Sequence, residues 1–284
     1  MMAFLRSLLL HLDRRIIYLA IAIAVTIPLL LHFAVPLKPS PIVRSLFDTI
    51  ESLPPGSKVI LSFDYGPSTV PENDPMAFAF VRHLLTLDHK VYMMALWATG
   101  ARNLDHTIEQ VIEKEFPEKV YGVDYVKLGY KAGDEGLINT LFKDFKGMYT
   151  TDGHGTNIHD IPMMQDIRTL QSFDMILNVG SGRPGTKEWI QYAGDRGNIR
   201  IGGGVTAVEA LLLYPYYPRQ LKGLLGGLQG AAEYETALIA KYPQFRETAR
   251  QAQIYMGPQT VAHYVIILLV VLGNISYFMG KRRR

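Results

Sequence analysis

Two uncharged, apolar stretches lie near the ends of the 284-residue chain, Ile16 to Val35 and Val261 to Met279. Each is about 20 residues long, which as an α-helix matches the roughly 30 Å hydrocarbon core of a bilayer. The pattern predicts two transmembrane helices, 16–35 and 261–279. Because basic residues precede the first stretch, a cleaved secretory signal is the alternative; a retained anchor fits better, since the apolar run exceeds the usual signal length.

Charge predicts the orientation of these helices. Basic residues outside the middle region are Arg6, Arg14 and Arg15 before the first stretch, and 281–284 after the second. Lysine and arginine concentrate on the cytoplasmic side of membrane proteins. We therefore expect cytoplasmic tails at 1–15 and 280–284, and a central region outside the cytoplasm, at the cell (plasma or inner) membrane.

The central region itself is slightly acidic. Without those seven basic residues and Asp13, the totals of 29 Lys and Arg and 26 Asp and Glu become 22 and 25. No basic stripe or aromatic–basic motif is present, which argues against nucleic-acid binding. The chain has no cysteine, so disulfides, thiolate metal sites and a cysteine nucleophile are excluded.

Short apolar runs alternate with amphipathic helical patterns from Lys58 onward, as in βαβ units. This predicts an α/β domain over 58–210, a Rossmann-like parallel sheet of about five strands with flanking helices. A linker and lead-in helix, 36–57, precede it. The predicted strands are Val59 to Phe63, Val91 to Leu96, Tyr125 to Gly129, Met175 to Val179 and Ile199 to Ile201.

A helical, glycine-rich, membrane-proximal segment is predicted over 211–260. Leu221, Leu224, Leu225 and Leu228 have the spacing of one helical face. The interspersed glycines, at 223, 226, 227 and 230, would permit very close helix packing. A loop beside the membrane is the alternative interpretation.

Ligands of open parallel sheets collect at the carboxyl ends of the strands, so the loops that follow the predicted strands are candidate sites. Asp64 ends the first strand and is the leading carboxylate candidate. Two glycine-rich turns after the last strands, each before a predicted helix, could bind an anion through backbone N–H groups. Tight turn geometry alone is the alternative. The candidate anion-binding residues are Ser181, Gly182, Arg183, Thr186, Gly203, Gly204 and Thr206.

The loop TTDGHGTNIHDIP brings two imidazoles and two carboxylates close together in sequence: Asp152, His154, His159 and Asp160. These groups are weak candidates for metal ligands, because the spacing matches no established motif. A hydrogen-bonded surface loop is the favoured alternative. Asp64, Asp152 and His154 are the candidate catalytic residues, and the sequence specifies no cofactor.

The sequence favours a non-catalytic assembly or ligand-binding component of a membrane protein complex. Expected partners are the lipid bilayer and other membrane subunits, or further copies of the chain. A membrane-anchored hydrolase or transferase for a phosphorylated or carboxylated small molecule is the alternative; it requires the candidate residues to converge in one crevice. A sensor with short cytoplasmic tails ranks third.

Overall fold

The computed structural model of the chain describes residues 13–133 and 135–281. They contain a six-stranded parallel sheet with flanking helices. The strand order is β3-β2-β1-β4-β5-β6, so the order reverses between β1 and β4. The strands are β1 (Lys58–Asp64), β2 (Lys90–Ala95), β3 (Tyr125–Tyr130), β4 (Met175–Gly180), β5 (Arg200–Val205) and β6 (Leu221–Gly226).

Helices connect the strands and cover the sheet. The α-helices of the described chain, including those outside the sheet domain, are α1 (Arg14–Leu30), α2 (Pro41–Glu51), α3 (Val70–Thr86), α4 (Gly100–Thr107), α5 (Glu113–Glu115), α6 (Glu135–Lys143), α7 (Thr186–Trp189), α8 (Asp195–Gly197), α9 (Ala207–Leu213), α10 (Gly227–Lys241) and α11 (Gln251–Lys281). Single π-helical turns, Ile108–Ile112 and Ile190–Gly194, join α4 to α5 and α7 to α8. The parallel α/β fold predicted from the alternating pattern is confirmed.

The central strands were predictable because helices bury both of their faces. In β1, every residue from Val59 to Asp64 is buried, and β4 is buried throughout. Strands of this kind appear in a sequence as continuous apolar runs rather than as an alternating pattern. The bounds of the first four predicted strands accordingly lie within one residue of the observed bounds.

The sixth strand corrects the prediction of a helix around the clustered leucines. Leu221–Gly226 forms β6 beside β5, and the helix α10 begins only at Gly227. A side-chain Cβ at Gly223 would lie 2.5 Å from the carbonyl oxygen of Ile42 and 2.6 Å from the amide nitrogen of Leu46. Glycine therefore allows the backbone of α2 to pack directly on β6, and the close packing involves a helix and a strand of the same chain.

Replacing Gly223 by alanine is expected to lower the free energy of unfolding by about 2 kcal/mol, because the added methyl group meets backbone atoms that cannot rotate away. Gly136→Ala is the matched control: a Cβ there has no neighbour within 4 Å. Urea unfolding of the full chain in detergent micelles, followed by tryptophan fluorescence, measures both. Equal stability of the two variants would contradict the described packing of α2 on β6.

A buried polar network fixes α2 against α3 and α10. His83 of α3 contacts the Tyr234 hydroxyl through Nδ1 at 2.6 Å and Glu51 Oε1 through Nε2 at 3.1 Å. Lys241 and Tyr242 also donate to the Glu51 carboxylate. The hydrogen bond from His83, together with those from Lys241 and Tyr242, lowers the pKa of Glu51 to about 2 despite partial burial. The lead-in helix is thus part of the domain.

One helix in the described part of the chain is long and apolar enough to cross a membrane, and it covers Gln251–Phe278. The N-terminal helix α1 has 17 residues and contains Pro28; a span there is not shown and remains a prediction. The chain divides into two compact units, 36–252 and the pair 1–35 with 253–284. Of the predicted tails, 1–12 and 282–284 lie outside the described residues.

Candidate functional site

The carboxyl ends of β1 and β4 lie at the reversal of strand order, where open α/β sheets bind ligands. Asp64 ends β1 there, as predicted, and its side chain is fully buried. Both carboxylate oxygens accept hydrogen bonds from the protein. The donors are the Leu96 amide at 2.6 Å, Asn178 Nδ2 at 2.6 Å, the Ser62 hydroxyl at 2.7 Å and, more distantly, Trp189 Nε1 at 3.4 Å.

Burial raises the pKa of Asp64 to about 7, against the opposing effect of these donors. The contacts join β1 to the residue after β2, to β4 and to α7. Because both oxygens are engaged within the fold, the surroundings of Asp64 indicate a structural tie between strands.

The first predicted anion site, the turn after β4, is occupied by a carboxylate of the chain itself. The Gly185 amide donates to Glu188 Oε2 at 2.9 Å, and Arg183 Nε donates to Glu188 Oε1 at 2.9 Å. Thr186 donates its hydroxyl hydrogen to Asn178 Oδ1 at 2.7 Å and is buried. Ser181 and Gly182 are partly exposed beside these residues.

The second predicted anion site is not a turn, which corrects the sequence interpretation. Gly203 and Gly204 lie inside β5, where a Cβ would come within 2.9 Å of Thr186 and 2.8 Å of Met76, respectively. The glycines therefore let α7 and α3 approach the sheet closely. Thr206 does precede the helix α9, but the first amide of α9, that of Ala207, donates to Glu72 Oε2 at 3.1 Å.

Glu209 adds to the acidity of this edge and was not predicted from the sequence. Its Oε2 is buried without a hydrogen-bond partner among the described residues. Burial, followed by the charges of Glu188 and Asp64, raises the pKa of Glu209 to about 7. This edge therefore holds three carboxyl groups that interact with one another, Asp64, Glu188 and Glu209.

The loop with two imidazoles and two carboxylates is held by hydrogen bonds, as its favoured alternative interpretation expected. Asp152 Oδ1 accepts from the amides of His154 at 2.9 Å and Thr156 at 2.8 Å, and Oδ2 accepts from the Tyr121 hydroxyl at 2.5 Å. The rings of His154 and Tyr121 stack with centroids 4.5 Å apart.

The other two candidate metal ligands in this loop, His159 and Asp160, have exposed side chains. No group of three or more His, Asp or Glu residues in the described chain is placed to hold a metal ion. Asp152 and Asp64 have no hydrogen-bond partner in common. The structure therefore places the candidate catalytic residues in separate networks.

A cavity of about 600 Å³ between α3 and α4 contains a site that the sequence interpretation missed. Tyr65 donates its hydroxyl hydrogen to Asp74 Oδ1 at 2.7 Å, and His106 Nδ1 lies 2.9 Å from Asp74 Oδ2. Burial raises the pKa of Asp74, opposed by the hydrogen bonds from Tyr65 and His106. Arg102 and Glu109 also line this cavity.

Only some of the residues of this site could be predicted from the sequence. Asp74 lies in the polar segment after the first predicted strand, at the expected edge of the sheet. Its partner His106 is 32 residues away on another helix, so their contact depends on how α3 and α4 pack. The spacing of Arg102, His106 and Glu109 along the chain, four and then three residues, does place them on one helical face.

Comparison with known proteins leaves the family open. No protein-family model matches the chain, and no curated protein sequence matches it. Among solved structures, a trehalose-6-phosphate synthase, OtsA, aligns with a TM-score of 0.30 and 8% identity. The alignment covers 89% of this chain and 48% of that one, so this chain spans about half its length. We draw no functional conclusion from this similarity. The fold defines a Rossmann-like α/β protein, and its described residues include one candidate membrane helix.

Proposed function

We propose that the chain is a membrane-anchored, extracytoplasmic assembly component whose α/β domain docks onto another membrane subunit without catalysing a reaction. The observation that carries this proposal is an exposed apolar face on α9 and the turn that follows it. Its side chains are exposed to 81% at Val208, 69% at Leu211, 69% at Leu212 and 47% at Tyr214. Contiguous apolar surface of this kind is typical of an interaction site.

The charge beside this face favours a different protein as its occupant. The carboxylate of Glu72 accepts a hydrogen bond from the first amide of α9 and so lies beside this face. Acidic residues are repelled by anionic lipid headgroups, and in a two-fold dimer through this face they would oppose their own copies. A subunit with an apolar surface bordered by basic residues fits best. Anchoring both proteins in one bilayer raises their effective concentration, so a small interface suffices.

The engagement of the candidate catalytic carboxylates within the fold also supports a non-catalytic role. Asp64 ties neighbouring strands together, and Asp152 holds its own loop. The residues proposed for catalysis from the sequence thus have structural roles that account for their positions.

Leu211→Glu is expected to abolish copurification of a specific partner, because it places a charge in the centre of the apolar face. Val123→Glu is the matched control, since Val123 is 42% exposed on a distant turn. The measurement is quantitative mass spectrometry of the full-length chain purified in mild detergent at native abundance. A partner retained equally by both variants, a chain that runs alone, or a second copy as the partner would contradict the proposal.

A hydrolase or transferase acting on a phosphorylated or carboxylated molecule is a second proposal, and the Asp74–His106 pair in its cavity favours it. A carboxylate on Nδ1 orients an imidazole so that Nε2 can accept a proton. None of the described residues that line the cavity is serine, threonine or cysteine, so water would have to be the nucleophile. Chemical conversion of a dipeptide that binds in this cavity would support this alternative.

A further inference from the structure

We propose that the cavity between α3 and α4 binds a small dipolar molecule, an amino acid or short peptide, with its carboxylate on Arg102 and its ammonium group on Glu109. This inference goes beyond the assembly role and does not depend on it. The cavity volume of about 600 Å³ is within the usual range for small-molecule sites. Its lining combines one guanidinium, one imidazole and three carboxylates.

Two of these carboxylates are already engaged by contacts within the protein. Asp74 accepts from Tyr65 and pairs with His106, and Asp105 forms an ion pair with Lys127. Arg102 and Glu109 are exposed, and neither has an ion-pair partner among the described residues. The cavity therefore presents one unpaired positive charge and one unpaired negative charge.

The helix keeps these two charges apart. Arg102 and Glu109 are seven residues apart on the continuous helical segment formed by α4 and the following π-helical turn. Seven residues are about two helical turns, so both side chains leave the same face with their backbones about 10 Å apart. A ligand with opposite charges at its two ends can bridge this gap, and an extended dipeptide spans about 7 Å.

The signs of the two charges select the ligand class. A ligand with only negative charge would gain from Arg102 but would meet Glu109 without a compensating cation. A ligand with only positive charge would gain from Glu109 and be repelled by Arg102. A dipolar molecule satisfies both side chains at once, and the same arrangement discriminates against molecules that lack one of its charged ends.

His106 lies between the two charges and adds a polar contact for the middle of the ligand. Its Nδ1 is held by Asp74, which fixes the plane of the ring. Its Nε2 has no hydrogen-bond partner in the described part of the chain. A peptide group or other polar group located between the ligand's charged ends is a suitable partner for this nitrogen.

The test is a calorimetric titration of the full-length protein in detergent with L-alanyl-L-alanine and two blocked forms, the N-acetyl dipeptide and the dipeptide amide. We expect the free dipeptide to bind, and each blocked form to bind about tenfold or more weakly, which corresponds to about 1.4 kcal/mol. Absence of dipeptide binding, or equal binding of the three compounds, would overturn the proposal.

The variants assign each end of the ligand to its side chain. With Arg102→Gln, the free dipeptide and its amide should bind equally; with Glu109→Gln, the free and N-acetyl forms should bind equally. Arg246→Gln, at an exposed arginine that does not line this cavity, should retain the full discrimination of the wild type. The assignment would be overturned if Arg102→Gln still bound the free dipeptide more tightly than its amide, or if Glu109→Gln still bound it more tightly than the N-acetyl form. We expect both cavity variants to copurify the partner as the wild type does. A loss of dipeptide discrimination can therefore be told apart from a loss of assembly.

Discussion

Replacement of Asp64 by alanine is expected to lower the free energy of unfolding by about 3–5 kcal/mol, because it leaves several buried donors without an acceptor at once. The Leu96 amide and Asn178 Nδ2, each 2.6 Å from Asp64, are shielded from bulk solvent, since Ser62, Asp64 and Asn178 are completely buried. Urea unfolding of the full chain in micelles, followed by tryptophan fluorescence, measures the loss. Trp189 contacts Asp64 and reports directly on this region.

Asp160→Ala is the matched control, because this aspartate is exposed on a loop. We expect its free energy of unfolding to match that of the wild type. A loss below about 1 kcal/mol for Asp64→Ala would show that the network is not a tie between strands.

The pH dependence of the same measurement identifies the ionisation involved. Burial raises the pKa of Asp64 from 3.8 to about 7, so between these values the native state binds a proton that the unfolded chain has released. Wild-type stability should therefore fall as pH rises from about 4 to 7, by at most about 1.4 kcal/mol per pH unit from this group, and level off above. Asp64→Ala removes this contribution, so the gap between variant and wild type should be larger at pH 5 than at pH 8.

The strands of the sheet were predictable where burial on both faces gives a continuous apolar run in the sequence. They were not predictable where glycines stand in place of large apolar side chains. The predicted fifth strand ended at Ile201, but β5 continues to Val205 because Thr186 and Met76 fill the space beside Gly203 and Gly204. β6 was interpreted as helix because its leucines have a spacing that a helix would also use. Pairing with β5 and the close approach of α2 at Gly223, which the sequence does not show, hold this segment as a strand.

The candidate site was predictable in position but not in composition. Parallel strand ends share one edge, so Asp64 was expected at that edge, and it lies there fully buried. Its donors come from three other parts of the chain, and this separation hid its structural role. The Asp74–His106 pair was missed for the same reason, since the sequence does not show which helices pack together.

Firm anchoring is the second expected result with a large effect. The apolar part of α11 presents Ile267, Leu268, Val270 and other large side chains that are more than half exposed. Withdrawing such a helix from lipid would expose all of this surface to water, at about 25 cal/mol per Å². Alkaline carbonate should therefore leave nearly all of the full-length chain in the membrane pellet. Release into the supernatant would show that the apolar helix does not span.

We propose that the α/β domain is held on the outer side of the membrane by spans whose basic ends are cytoplasmic. The chain contains no cysteine, so a single introduced cysteine reports its own location. Asp160→Cys lies on an exposed loop of the domain, and Ser7→Cys lies in the predicted cytoplasmic tail. We expect a membrane-impermeant maleimide to label Asp160→Cys in intact spheroplasts and Ser7→Cys only after permeabilisation. Labelling of Asp160→Cys only after permeabilisation would contradict the account.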